Sequence, residues 1–156
     1  MSTTTSKAVL ESLEALLPTL TCTDEPGIKF YLRSDDREFM DDESQPPDSE
    51  RGFDIWQHGG SAGPIHGHGE YQVSEQYLVI VAYPFSDSYR DLMIRVRNDV
   101  HTIKDAVDNP SNWAASVLHQ MVKDWPPPHI MKDVGTVLQQ IIIEVEYLEA
   151  TTTTTA

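Results

Sequence analysis

The sequence predicts an α+β domain: a mostly antiparallel sheet of about four strands, one long amphipathic helix packed on one face, and an N-terminal helix. Three stretches predict it. In Val137–Tyr147, residues Val137, Ile141, Ile143, Val145 and Tyr147 share one parity, while Gln140, Glu144 and Glu146 share the other with Leu138 and Ile142. Strand side chains alternate between faces, so one face is apolar and the other mostly wet, as in an antiparallel sheet covered on one side. A one-residue slip would turn the apolar set outward, which makes the register firm. In Glu70–Tyr83, residues Tyr71, Val73, Tyr77, Val79, Val81 and Tyr83 alternate in the same way. Leu78, Ile80 and Ala82 fill the other parity, which predicts a strand middle covered on both sides. Finally, Leu92, Val96, Val100, Ile103 and Val107 recur at helical intervals, with Arg90, Arg95, Arg97, Asp99 and Asp105 off the stripe.

The remaining elements follow in chain order. Ser6–Leu17 reads as a helix with Ser6 as its cap, the stripe Val9, Leu13, Leu16 and Leu17, and Pro18 as its stop. Pro26-Gly27 marks a turn, and Ile28–Arg33 reads as a short strand. Between Asp24 and Asp54, eleven acidic residues face four basic ones, a net of −7. Asp41–Glu50 is the densest part and reads as a solvated, self-repelling loop, placed to repel a polyanion or to meet a basic partner. Phe53–Trp56 fits a brief strand.

His58–Gly69 carries five glycines and reads as a long, flexible hairpin tip. His58, His66 and His68 raise a metal hypothesis, because neutral imidazole is a common ligand. Their spacing argues against it: no pair sits at i, i+4 on a helix, and no thiolate is near. No catalytic, cofactor-binding or metal-binding residue is therefore assigned. The glycines also lack the Gly-Lys-Ser/Thr of a phosphate loop. Ser86-Asp-Ser88 opens the long helix, with Ser86 or Ser88 as its cap, and Asn109-Pro110 closes it. Ser111–Trp113 is a turn and Val117–Val122 a further strand. Trp125-Pro-Pro-Pro128 is an extended segment that either covers one end of the core or presents a contact. Asp133–Gly135 turns into the last strand. Residues 1–150 form the expected single domain, with an insert at about 35–69, and 151–156 read as a disordered tail.

Composition narrows the classes. The mean hydropathy is −0.38 and no apolar run approaches the roughly 20 residues that span a bilayer. Met1–Lys7 has no signal-type apolar core behind it. The single cysteine, Cys22, excludes an internal disulfide, suggests a reducing compartment and reads as a small buried residue. A net charge of −14 opposes a phosphate-gripping surface, yet suits one past which DNA slides without sticking.

The second half resembles the tail terminator (tail completion) proteins of long-tailed bacteriophages. The residues that carry the likeness are the strand Tyr77–Tyr83 running directly into the helix Ser88–Asp108, the short strand Val117–Val122, and a close from Gly135 through Glu144-Val-Glu-Tyr147. It covers about residues 70 to 148. The resemblance implies a small α+β structural protein of the virion, assembled in the host cytoplasm, without catalytic residues or cofactor. Such proteins form a homohexameric ring that caps the tail tube, ends polymerisation of the tube protein and offers a surface to head or neck proteins. Genome DNA passes through the lumen unbound. The insert 35–69 departs from the simplest members. The competing readings are another head-tail connector ring of the neck, a metal-dependent enzyme using His58, His66 and His68, and a generic acidic interaction protein.

Overall fold

The computed structural model describes residues 3–22, 27–33, 50–66, 69–85, 88–131, 133 and 135–150, with backbone alone for residues 50 and 64–66. It is an α+β fold in two layers: a six-stranded mixed sheet with two helices on one face. Helix α1 spans Ser6–Leu16 and α2 spans Tyr89–Asp108. The strands are β1 (Lys29–Leu32), β2 (Glu50–His66), β3 (Glu70–Pro84), β4 (Val117–Asp124), β5 (His129–Met131) and β6 (Thr136–Ala150).

The sheet order is β1-β2-β3-β6-β4, and β5 pairs with β6 next to β4. β6 is central. It pairs antiparallel with β3 along their whole length, from Glu70↔Ala150 to Pro84↔Thr136. On its other side it pairs with β4 through Ile142–Tyr147 and with β5 through Thr136–Leu138. β1 runs parallel to β2, which makes the sheet mixed. Six strands stand where the sequence predicts about four, because β5 has only three residues and shows no readable period.

The alternation in Val137–Tyr147 sets the core as expected. Val137, Ile141, Ile143, Val145 and Tyr147 are all buried beside Val73, Tyr77, Val79, Val81 and Tyr83 of β3. Both helices pack on this face: Val9 and Leu13 of α1, and Leu92, Val96, Val100, Ile103 and Val107 of α2, belong to the same core cluster. Burial of each α2 side chain is worth roughly 1.5–3 kcal/mol, which holds the helix to the sheet.

The capping differs in detail from expectation. Thr5, rather than Ser6, caps α1, accepting from the Ala8 N–H at 3.1 Å. The Ser6 hydroxyl is drawn away to the sheet, where it donates to Glu75 at 2.8 Å. The α-helix ends at Leu16, as Pro18 leads one to expect; Pro18, with no N–H to give the α-helical ladder, sits in the 3-10 turn Leu17–Thr19 that follows. Ser88 caps α2, accepting from the Asp91 N–H. At the other end Asn112 and the Trp113 indole donate to the carbonyls of Ala106 and Val107, at 2.8 and 2.9 Å. These bonds satisfy carbonyls that a helix end leaves open.

The glycine-rich stretch is not a loose tip. Residues 50–66, inside the expected flexible insert, form β2, paired with β3 as far as His66↔Glu70. The glycines serve bulges and close approach. The register shifts between Gln57 and Gly59, and Gly59 has φ 145°, a conformation that side-chain-bearing residues avoid. A Cβ on Gly60 would lie 2.9 Å from Glu75 Cγ and 3.0 Å from the Ser74 carbonyl.

Two other expectations are corrected. Asp99, read as lying off the α2 stripe, is buried at 2% exposure. Leu78 and Ile80, read as covered on both sides, are only half-buried, because no helix of the described chain lies on that face.

Candidate interaction surface

The uncovered face of the sheet divides into an apolar end and a polar end. Register builds the apolar end: Trp56, Leu78 and Ile142 are directly paired across β2, β3 and β6. Ile80 lies next to Leu78 along β3, and Ala82 pairs with Leu138. Ile80 and Met131 pack on Ala82 and Leu138, a small cluster separate from the main core. Trp56 is 51% exposed. An indole this open, in register with Leu78 and Ile142, makes an apolar cluster, edged by Asp54 and Gln140 where they pair with Ile80.

The polar end lies further along the same three strands. Gln72 donates to Glu146 at 3.2 Å and Gln76 to Glu144 at 3.4 Å. Lys123 at the end of β4 reaches Glu144 at 3.3 Å. These pairs are partly exposed, and Gln76 and Glu144 border an open hollow of about 310 Å³ together with Gly59, Gly60, Ser61 and Ser74. A carboxylate rail beside an apolar patch is built for recognition: the patch supplies contact area, and the charges reject polyanions.

The ionisable groups on the covered face serve the fold. The Asp99 carboxylate accepts from Arg51 Nε at 2.9 Å and from the Tyr83 hydroxyl at 2.8 Å, and the Arg51 guanidinium lies 5.2 Å from the Tyr83 ring centre. Burial pushes the Asp99 carboxyl above its usual value, against the opposing pull of Arg51 and Tyr83. Burial also pushes the Tyr83 hydroxyl far up, helped by the neighbouring Asp99 charge. This triad ties α2 to β2 and β3. A second cluster ties α1 to β3 and β6: the buried Glu75 carboxylate accepts from Ser6 at 2.8 Å, Tyr77 at 2.5 Å and Tyr147 at 2.8 Å. Burial, then the hydrogen bond to Glu75, raises both tyrosines.

The histidine hypothesis finds no assembled site. His58 is exposed on β2, the side chain of His66 lies outside the described residues, and so does the whole of His68. Among the described residues, no group of three or more His, Cys, Asp or Glu is placed to hold a metal. Cys22 is a buried thiol outside any disulfide, as expected. Of the acidic loop Asp41–Glu50, residues 41–49 lie outside the described residues and Glu50 opens β2. Trp125 is 41% exposed, edge-on to His101 with ring centres 6.3 Å apart. No helix of the described chain is long and apolar enough to cross a membrane.

Sequence reasoning missed the apolar patch although its signal was present. Leu78 and Ile80 on one parity of β3 and Ile142 on the matching parity of β6 are the patch. No protein-family model matches the chain, and no curated protein is significantly similar to it.

Proposed function

We propose that this chain is a phage tail terminator, a structural protein whose ring caps the tail tube, ends tube polymerisation and offers the joining surface to the neck. The observation that carries the reading is the one-sided sheet. Both helices cover one face, and the other presents Trp56, Leu78 and Ile142 uncovered. A patch of this kind on a small domain marks a protein contact. The chain order β3, α2, β4, β6 is the order of elements on which the resemblance rests. The acidity supports the same reading: a carboxylate-rich lumen lets DNA pass without gripping phosphate. On this reading the partners are further copies of the chain, the tube protein and a connector or neck protein. The protein resides in the tail-neck region of the virion after assembly in the host cytoplasm.

The test is the oligomeric mass across a concentration series, by native mass spectrometry, with and without purified tail tubes. Six copies, free or at a tube end, are expected. A chain that stays monomeric and ignores tubes would overturn the proposal.

A further inference from the structure

We propose that the uncovered sheet face receives the exposed stripe of α2 from a second copy of this chain, with Ile94 seated on the row Trp56, Leu78 and Ile142. Register builds the receiving side. The three residues of the row pair across β2, β3 and β6, and Asp124 of β4 pairs with Ile142 at its end. Two residues along the strands in one direction lies Asp54, paired with Ile80. Two residues along in the other direction lies Glu144, paired with Gln76. The apolar row is therefore flanked by a carboxylate on each side. Among the described residues of these four strands, Asp54, Asp124, Glu144 and Glu146 share this face with one lysine, Lys123, which Glu144 already engages at 3.3 Å. Its complement is an apolar side chain flanked by cations.

Helix α2 carries that complement. Its buried stripe, with Leu92, Val96 and Val100, faces the core. On the opposite side Arg90, Ile94 and Arg97 are exposed, Ile94 at 47%. They recur at i, i+4 and i+7, so the isoleucine stands between the two arginines on one helix face. Neither Arg90 nor Arg97 makes an ion pair among the described residues. From Tyr89 to Asn98 three arginines face one carboxylate, Asp91, in a chain whose net charge is −14. This is a local inversion of the field. The spacings agree as well. Arg90 and Arg97 lie about 10.5 Å apart along the helix axis. The rows of Asp54 and Glu144 lie four residues apart, about 13 Å along the strands. A helix laid along the strands brings each guanidinium within side-chain reach of a carboxylate, a pairing that arginine makes well.

The layers make the contact intermolecular. α2 packs on the core face of the sheet with its arginine stripe turned away from the sheet, and the row Trp56, Leu78 and Ile142 lies on the other face. The two surfaces of one chain look in opposite directions, so only another copy can join them. Unlike surfaces on opposite sides give a head-to-tail contact, which generates a ring when the rotation closes and a filament when it does not. The inference deepens the terminator reading and rests on it for the ring and its place on the tube.

The test is a charge exchange between full-length chains, read by native mass spectrometry across a concentration series. R90E/R97E and D54K/E144K each set like charges against each other at this contact, and each should self-associate about tenfold or more weakly than wild type. Mixed, the two should assemble again with strict 1:1 alternation, because every contact then joins opposite charges. All four positions are exposed or half-buried, and circular dichroism checks the fold of each variant. A second measurement needs no lost signal: an I94C chain mixed with an L78C chain under mild oxidation should give a covalent heterodimer in preference to either homodimer. Variants that associate like wild type, a mixture that does not recover, or a failed cross-link would overturn the docking. If R90E/R97E still caps tail tubes in six copies, the terminator reading stands and this contact falls. If the mixture recovers and the cross-link forms, yet wild type ignores tubes, the contact stands and the terminator reading falls.

Discussion

Arg51→Met removes the cation from beneath α2 and leaves the Asp99 carboxylate at 2% exposure with the Tyr83 hydroxyl still donating to it. Breaking a buried ion pair from one side costs about 3–5 kcal/mol, chiefly because the remaining charge is left uncompensated. Domain stabilities are of order 5–15 kcal/mol, so the variant loses a large share of the total. At about 2–4 °C per kcal/mol for a domain of this size, the melting temperature should fall by roughly 6–20 °C. Removing the whole polar triad, with Arg51→Met, Asp99→Leu and Tyr83→Phe together, leaves no uncompensated charge, although the Cys22 thiol loses its Asp99 partner, and should recover stability to within about 2 kcal/mol of wild type. The sign of the pH dependence follows from Asp99. Its carboxyl is raised in the folded state, so the folded chain binds that proton more tightly than the unfolded one. The contribution of Asp99 to stability is therefore fullest below the ordinary carboxyl value and declines as pH rises through the folded value. Without Arg51 the value rises further, and the deficit of Arg51→Met should shrink as pH is lowered from neutrality. Urea melts at several pH values measure all of this. A single-variant loss under about 1 kcal/mol, or a triple variant no more stable than the single, would refute the argument.

Ile143→Asp places a lone carboxylate at a position of 0% exposure between β3 and β4, and should leave no cooperative unfolding transition by circular dichroism. Gly135→Ala should cost about 1–2 kcal/mol in urea melts, because Gly135 enters β6 at φ 65° while its carbonyl accepts from the Phe85 N–H at 2.7 Å. Trp56→Ser with Leu78→Ser should change stability by no more than about 1 kcal/mol, since both side chains sit on the uncovered face. The same double variant should lose assembly on tail tubes, as read by light scattering.

The parts of the fold legible in the sequence are those encoded by local period. Val137–Tyr147 and Leu92–Val107 announce their buried sides residue by residue, and β6 and α2 bury those sides. What stayed hidden depends on distant partners. Asp99 looked like a surface charge because its partner Arg51 is on another element, and nothing near Asp99 in sequence signals the pairing. The parallel pairing of β1 with β2 and the three-residue β5 exist only in the assembled sheet. The glycines of 59–63 read as looseness, yet Gly59 makes a bulge and Gly60 allows close approach to β3; composition alone does not distinguish the two uses. For the surface, the residues of the apolar end were visible as the second parity of β3. The missing information was that no helix covers them.

The position of β6 has a consequence for biosynthesis. β3 can complete its outer ladder only with β6, from Glu70↔Ala150 to Pro84↔Thr136, and β4 and β5 also pair with β6. On the ribosome, β2 and β3 emerge as a hairpin whose free side is already apolar on one face, and it waits there while α2, β4 and β5 are made. The sheet closes only when residue 150 has cleared the exit tunnel. Such long-range pairing makes folding slow and leaves a sticky strand edge exposed in the nascent chain. Ribosome-stalled chains released before Thr136 should accordingly remain protease-sensitive and depend on chaperones, whereas chains extended past Ala150 should not.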